Sequence, residues 1–319
     1  MNKNFLKILC DPFTGEDLEL IIEEEVDNQV KTGLLISKAN QYKIINGIPR
    51  FVSSQGYLKN FGWQWSKWGK VQFESENKET AMEGYTEEMF FKITNLEKKS
   101  IKNKLFLDLG CGSGRFVDIV NSYEGFIIAI DFTSAIDIAK RNIQNDNILF
   151  VQGDALNLPI KTEVVDFVYS IGVLHHTPNP KKGIEQAYKV LKKEGAFAIS
   201  LYSEKSLYTF ISVKIWRKIF KVLWPIAGHL PAFLYSKFFG TLTYYISKIH
   251  IFLTYPIRII FPTAVLPDVR WSVLDTFDKI TTRFQSGHTE EQVVSWFKSF
   301  GFKNITTGKW WPVNIIGNK

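Results

Sequence analysis

The sequence predicts an α/β fold, a mostly parallel sheet with helices on both faces, preceded by a small β-unit and interrupted by a helical insert. Three observations carry this expectation. Between residues 101 and 202, apolar β runs (105–109, 126–130, 148–151, 165–170 and 196–202) alternate with helical stretches (115–122, 135–144 and 181–193). Alternation of this kind calls for right-handed crossovers that lay helices over both faces of a parallel sheet. Residues 1–52 instead carry three short β-rich runs (18–22, 33–37 and 42–45) divided by turn residues and closed by Asn46-Gly47-Ile48-Pro49, a small β-unit. Residues 205–267 hold eight Lys/Arg, no Asp or Glu, and 14 of the chain's 47 aromatic residues, with Pro225, Pro231, Pro256 and Pro262 dividing the segment into short helical pieces.

The elements follow in order. After the β-unit, residues 53–100 are rich in Trp, Lys and Glu and read as a helical lead-in to the main domain, which occupies 101–204. Asn179 and Pro180 stand in favoured N-terminal positions for the helix over 181–193, with Gly195 just beyond its end. Residues 268–319 complete the domain after the insert. There Thr289-Glu290-Glu291-Gln292 forms a capping box, Gly301 stops the helix, and 302–316 supply two final strands. A hydrophobic content of 45% over 319 residues allows a sizeable core without staples. The two cysteines, Cys10 and Cys111, exclude a disulfide framework and are too few for a Cys-rich zinc site, so no metal is expected. With no apolar leader after Met1, a cytoplasmic location is expected.

The chemistry concentrates in four places. The first is Asp108-Leu109-Gly110-Cys111-Gly112-Ser113-Gly114-Arg115, where a strand ends, a glycine loop turns and a helix begins. Glycine lets a backbone approach a ligand closely, and a helix N-terminus offers free N–H groups. A dinucleotide loop started at Gly110 would need glycine at 115, where Arg115 stands. The second is Asp131, followed by Phe132, at the end of the next strand, where a carboxylate can accept both ribose hydroxyls. The third is Gly153-Asp154-Ala155 after the third strand. The fourth is Ser170-Ile171-Gly172-Val173-Leu174-His175-His176 after the fourth.

These four signals, in this order, resemble the class I S-adenosylmethionine-dependent methyltransferases. The resemblance implies a Rossmann-like, mostly parallel sheet and S-adenosyl-L-methionine as cofactor. It implies that Gly110, Gly112 and Gly114 border the methionine half, Asp131 the ribose, and Asp154 with Ala155 the adenine, with Asp108, Cys111, Phe132, Ser170 and Ile171 also in the cofactor site. Residues 6–52, including Cys10-Asp11-Pro12 and Ile45-Asn46-Gly47-Ile48-Pro49, look like the zinc-ribbon-like unit of a tRNA-methyltransferase activator family. The second cysteine of that pattern is missing here, which implies the unit without its metal. Phe61-Gly62-Trp63-Gln64-Trp65 and Leu274-Asp275-Thr276-Phe277-Asp278 are similar to a bacterial methyltransferase subgroup that joins such a unit to a class I core, frequently in cell-envelope pathways. Trp63, Gln64, Asp275 and Asp278 are therefore candidates to face the acceptor.

Methyl transfer is an in-line displacement, so the protein aligns the partners and can deprotonate a hydroxyl acceptor. His176, with His175 beside it, is the expected base; the alternative is that both histidines only shape the loop. The expected activity is methyl transfer to oxygen of a small molecule or of a glycan- or lipid-linked intermediate of the cell envelope. Three other readings stand beside it: a quinone or other lipid methyltransferase, a cofactor-binding module without turnover, and an RNA methyltransferase. The fourth motif lacks the Asn/Asp-Pro-Pro-aromatic pattern of nucleobase-amine methyltransferases, which argues against nucleic acid as partner. The insert 205–267 has two readings. It could lie on an anionic membrane surface, placing the protein peripherally on the inner face, or it could be a helical cap whose aromatics form its own core. Its apolar runs fall short of the ~18 residues a span requires.

Overall fold

The computed structural model describes residues 1–52, 59–205, 211–282, 284–308, 310 and 313–319, with residues 59 and 60 described by their backbone. Eleven strands form one sheet. They are β1 (Glu19–Val26), β2 (Gln29–Ile36), β3 (Gln41–Ile45), β4 (Ile48–Arg50), β5 (Leu105–Leu109), β6 (Phe126–Asp131), β7 (Ile148–Gln152), β8 (Val165–Ile171), β9 (Leu191–Leu201), β10 (Lys303–Thr307) and β11 (Val313–Asn318). Their spatial order is β1-β2-β3-β4-β7-β6-β5-β8-β9-β11-β10. The five strands from β7 to β9 are parallel to one another, and β11 enters antiparallel between β9 and β10. Strand order reverses beside β5, which opens a crevice beyond the carboxyl ends of β5 and β8, the place where such sheets bind ligands.

Helices α1 (Lys59–Trp68) and α2 (Tyr85–Thr94) lead in; α3 (Arg115–Ser122), α4 (Ala135–Asn142) and α5 (Pro180–Val190) are the crossovers. The β strands that the sequence marks as near-continuous apolar runs are buried on both faces, as parallel strands covered by helices must be. The helix expected over 181–193 ends three residues early. Leu191 turns extended and pairs with Val165, and Glu194 adopts φ 65° where the ladder shifts register. Gly195 is thus packed into a strand irregularity rather than capping a helix; a Cβ there would meet backbone oxygens of Lys192 and Asp166 at 2.9 and 3.0 Å.

The N-terminal β-unit is not free-standing. Its antiparallel strands β1–β4 continue the main sheet, because β4 pairs parallel with β7 at Arg50–Gln152. The Arg50 guanidinium locks this seam, bonding Asp137 at 2.6 Å and the Gln152 side chain at 3.0 Å. Two tight hairpin turns build the unit, each with both central residues in the left-handed region: Asp27-Asn28 and Asn46-Gly47.

The insert folds as α6 (Ile211–Ala227), α7 (Leu230–Tyr235), α8 (Thr241–Ile249) and α9 (Tyr255–Ile260), joined by a π-turn at Ser236–Gly240 and a 3₁₀ turn at Ile251–Thr254. Its inner side packs on α10 (Val269–Thr281), with Phe220, Ala232 and Tyr235 meeting Val273, Phe277 and Ile280. Helix α11 (Glu290–Phe300) closes the domain. Thr289 caps it by accepting the Gln292 N–H, and Gly301 ends it in the left-handed region.

Candidate active site

The glycine loop between β5 and α3 forms one wall of a cavity of about 350 Å³ at the crevice. Gly110 has φ 90°, and a Cβ there would fall 2.3 Å from Val173; Gly112 has φ 55°, with the Trp65 indole nitrogen 3.0 Å from where its Cβ would be. Side chains cannot replace these two without closing the loop. At the end of β6 the Asp131 carboxylate accepts the Gly112 N–H at 2.9 Å, and both the N–H and the hydroxyl of Thr133 at 2.8 and 2.7 Å. Three donors leave part of its lone-pair capacity for a ligand in the cavity. Burial raises its pKa, which those hydrogen bonds oppose. Asp154 and Ala155 line the far end, and the Asp154 carboxylate accepts the Leu156 N–H at 2.8 Å.

The other half of the cavity is polar and comes from distant parts of the chain. Asp275 and Asp278, three residues apart on α10, both point into it. Burial raises Asp275 to about 7, aided by the nearby Asp278 and opposed by Arg115. Burial likewise raises Asp278 to about 6, against Arg217 and hydrogen bonds from Gln64 and Tyr202. Arg115, the first residue of α3, together with Tyr85 and Tyr202 completes the polar rim. Phe61, Trp65, Trp271 and Trp310 supply aromatic walls.

Gly110, Cys111, Gly112, Asp131, Phe132, Asp154, Ala155, Ile171, His176, Gln64, Asp275 and Asp278 therefore meet in one cavity. Five other sequence candidates do not border it. Asp108 lies buried beneath the loop, where burial pushes its pKa well up against the opposing hydrogen bond from Tyr169. Gly114 is the left-handed N-cap of α3, packed against Ile143 and Ala139. The Ser170 hydroxyl donates to the Leu109 carbonyl at 3.0 Å, tying β8 to β5. His175 turns inward and stacks on Tyr202 at 3.8 Å. Trp63 faces the insert, stacked on Phe277 and packed against Phe233.

His176 does reach the cavity, and its tautomer follows from its partner. The Phe284 carbonyl, 2.9 Å from Nδ1, can only accept, so Nδ1 carries the proton and Nε2 is the free lone pair. Burial lowers its pKa to about 4, so the ring is neutral at neutral pH. Arg115, Tyr85, Tyr202, Trp65, Trp271 and Trp310 are the lining residues that sequence reasoning passed over. Two of them carried a signal, Arg115 as the residue that spoils a dinucleotide loop and Trp65 as the end of the Phe61-Gly62-Trp63-Gln64-Trp65 motif. Among the described residues, no group of three or more His, Cys, Asp or Glu is placed to hold a metal ion.

Residues 107–199 match the methyltransferase-domain family, so the segment from β5 to β9 is a Rossmann-like class I methyltransferase fold. The relatives it resembles carry different substrates in their names. A tRNA (carboxymethyluridine(34)-5-O)-methyltransferase of Saccharomyces cerevisiae is 32% identical over 101 residues, 32% of this chain and 35% of that protein. A sterol 24-C-methyltransferase of Kluyveromyces lactis is 33% identical over 109 residues, 32% of this chain and 29% of that protein. The chain thus spans about a third of the length of these curated relatives. Among solved structures, an S-adenosylmethionine-dependent methyltransferase from Mesorhizobium loti is 18% identical with a TM-score of 0.35, covering 42% of this chain and 57% of that one.

Proposed function

We propose that the protein transfers a methyl group from S-adenosyl-L-methionine to a hydroxyl oxygen of a polyhydroxylated acceptor, such as the glycan part of a cell-envelope intermediate. The observation that carries this reading is the meeting of two chemistries in one cavity, the glycine loop with Asp131 on one side and the Asp275–Asp278 pair on the other. The family match over 107–199 supports the cofactor, and the loop fits it: Gly110 and Gly112 line the cavity with bare backbone, Val173 and the Trp65 indole standing where their Cβ atoms would be. When bound, the cofactor supplies an electrophilic methyl on a sulfonium. Gly110 and Gly112 would border its methionine part, Asp131 its ribose hydroxyls, and Asp154 with Ala155 its adenine.

Carboxylates accept hydrogen bonds from sugar hydroxyls, and aromatic walls such as Trp65 and Trp310 suit the apolar faces of a sugar ring. The acceptor O–H proton would pass to Asp278, or to Asp275 beside it, as the acceptor oxygen takes the methyl and the methyl–sulfur bond breaks to leave a neutral thioether. Arg115 would orient an anionic or hydroxylated part of the acceptor. His176 is the second candidate base, with its Nε2 lone pair available but held at a low pKa. The N-terminal unit reads as a metal-free scaffold. There Asp11 joins two turns by accepting from the N–H groups of Phe13 and Thr14 and from Ser37 and Asn40 side chains.

The test is transfer of labelled methyl from S-adenosylmethionine into fractions of a cell-envelope extract. Label is expected in a glycan-containing fraction with wild type and absent with an Asp275→Asn, Asp278→Asn double variant that still binds the cofactor. Label confined to sterol- or quinone-type lipids, or to RNA, would contradict the acceptor class.

A further inference from the structure

Seventeen of the 24 large apolar residues left exposed among the described residues lie between Ile211 and Ile260. They are not the insert's core. The inner side of α6 already presents Val213, Trp216 and Phe220 at helical spacing to α10 and its neighbours. Its outer side carries a second apolar stripe, in which Ile211, Ile215, Val222 and Ile226 are 51–81% exposed. At 100° per residue Lys218 falls at the edge of that stripe, and Lys214 and Lys221 run along the same flank. The following helices repeat the pattern with Leu234, Phe238, Tyr245 and Ile249 outward beside the exposed Lys237 and Lys248. Phe238, Tyr245, Phe252 and Tyr255 are each 57–68% exposed. At roughly 150–250 Å² per ring, these four alone bare on the order of 500 Å², already the size at which a patch marks a partner.

Charge says which partner. The segment has eight cations and no carboxylate of its own. Among the described residues none of Lys214, Lys218, Lys221, Lys237 or Lys248 forms an ion pair with a carboxylate elsewhere. A second copy would bring the same unopposed cations against each other. No described helix is long and apolar enough to cross a membrane. We infer that the outer face of the insert docks onto the surface of an anionic lipid bilayer, its lysines at the phosphates and its Ile, Leu and Phe side chains in the acyl boundary. Helix α10 is at once the floor of the insert and the wall that carries Asp275 and Asp278. Only α10 and the insert therefore stand between the acceptor half of the cavity and the lipid, which suits a lipid-linked acceptor; this last step rests on the methyl-transfer reading, whereas the docking does not.

The experiment is co-sedimentation of the full chain with two kinds of vesicle, phosphatidylcholine alone and phosphatidylcholine with phosphatidylglycerol in equal parts. Wild type should bind the mixed vesicles at least about tenfold better and release as salt rises. Lys214→Glu, Lys218→Glu, Lys221→Glu together should weaken that binding by roughly a hundredfold. Ile215→Asn with Val222→Asn should lower binding at every salt concentration, because it removes the apolar part. Both variants should keep the wild-type melting temperature, since all five side chains point away from the core. A monomeric wild type that ignores the mixed vesicles at low salt would overturn the inference. So would a wild-type dimer that fails to bind vesicles and is split by the Ile215→Asn, Val222→Asn change. Vesicle binding without any methyl transfer would leave the docking standing and count only against the catalytic reading.

Discussion

Asp275 and Asp278 are half-buried carboxylates that line the same cavity as Arg115, and their environment sets when they can act. Burial, then mutual repulsion for Asp275, raises their pKa values to about 7 and about 6. A general base works when deprotonated and works best with a pKa close to the ambient pH. The kcat/KM of methyl transfer should therefore rise with pH across roughly 6–7 and level off above it. His176, held at about 4 by burial, would instead give a profile already flat above about 5. Asp278→Asn should lower kcat by about 10²–10⁴ and abolish the rise. A flat profile across that range would hand the role to His176, and an Asp278→Asn enzyme with ordinary turnover would leave it to Asp275 or His176. These three side chains were visible in the sequence, but not their ranking. What separates them is burial and tautomer, set by Phe284 and Gln64 from far along the chain.

At the scale of elements, the N-terminal unit shows how a polar group can fasten two turns. Asp11 is fully buried, and its carboxylate accepts from the Ser37 hydroxyl at 2.6 Å, the Asn40 amide at 2.8 Å and the N–H groups of Phe13 and Thr14. Burial alone would raise its pKa; these bonds outweigh it and hold it at about 2. An unfolded Asp titrates near ~3.9, so the folded state favours the charged form. That stabilisation is present above ~4 and is lost as the pH falls toward 2, with a size of order 2 kcal/mol. Asp11→Ala should lower the melting temperature by several degrees at neutral pH, and the gap to wild type should narrow as the pH drops below about 4. A gap that stays constant with pH would show that the carboxylate's charge does not fasten the turns. The alternating strand pattern announced β5 to β9 plainly, because buried parallel strands are uninterrupted apolar runs. The seam between β4 and β7 was not legible, since one pair of residues 102 positions apart makes it.

For the whole molecule, the sheet places the glycine loop and Asp131 at one end of the crevice, while the lead-in helices and α10 bring a second set of side chains over it. The half of the cavity around the loop was readable because its residues sit at strand ends within about sixty positions of one another. The acceptor half was only partly readable. Asp275, Asp278 and Gln64 stood out in short motifs, whereas Tyr85, Tyr202 and Trp310 come from separate elements that only the fold brings together. This cavity should bind S-adenosyl-L-methionine through the loop and Asp131, and isothermal titration calorimetry reads that binding. Wild type should bind the cofactor one to one. Asp131→Ala should bind it about ten- to several-hundred-fold more weakly while melting as a folded protein, from the loss of charge-assisted hydrogen bonds worth roughly 1.5–3 kcal/mol each. A wild type that takes up no cofactor, or an Asp131→Ala protein that binds it as tightly as wild type, would contradict the account.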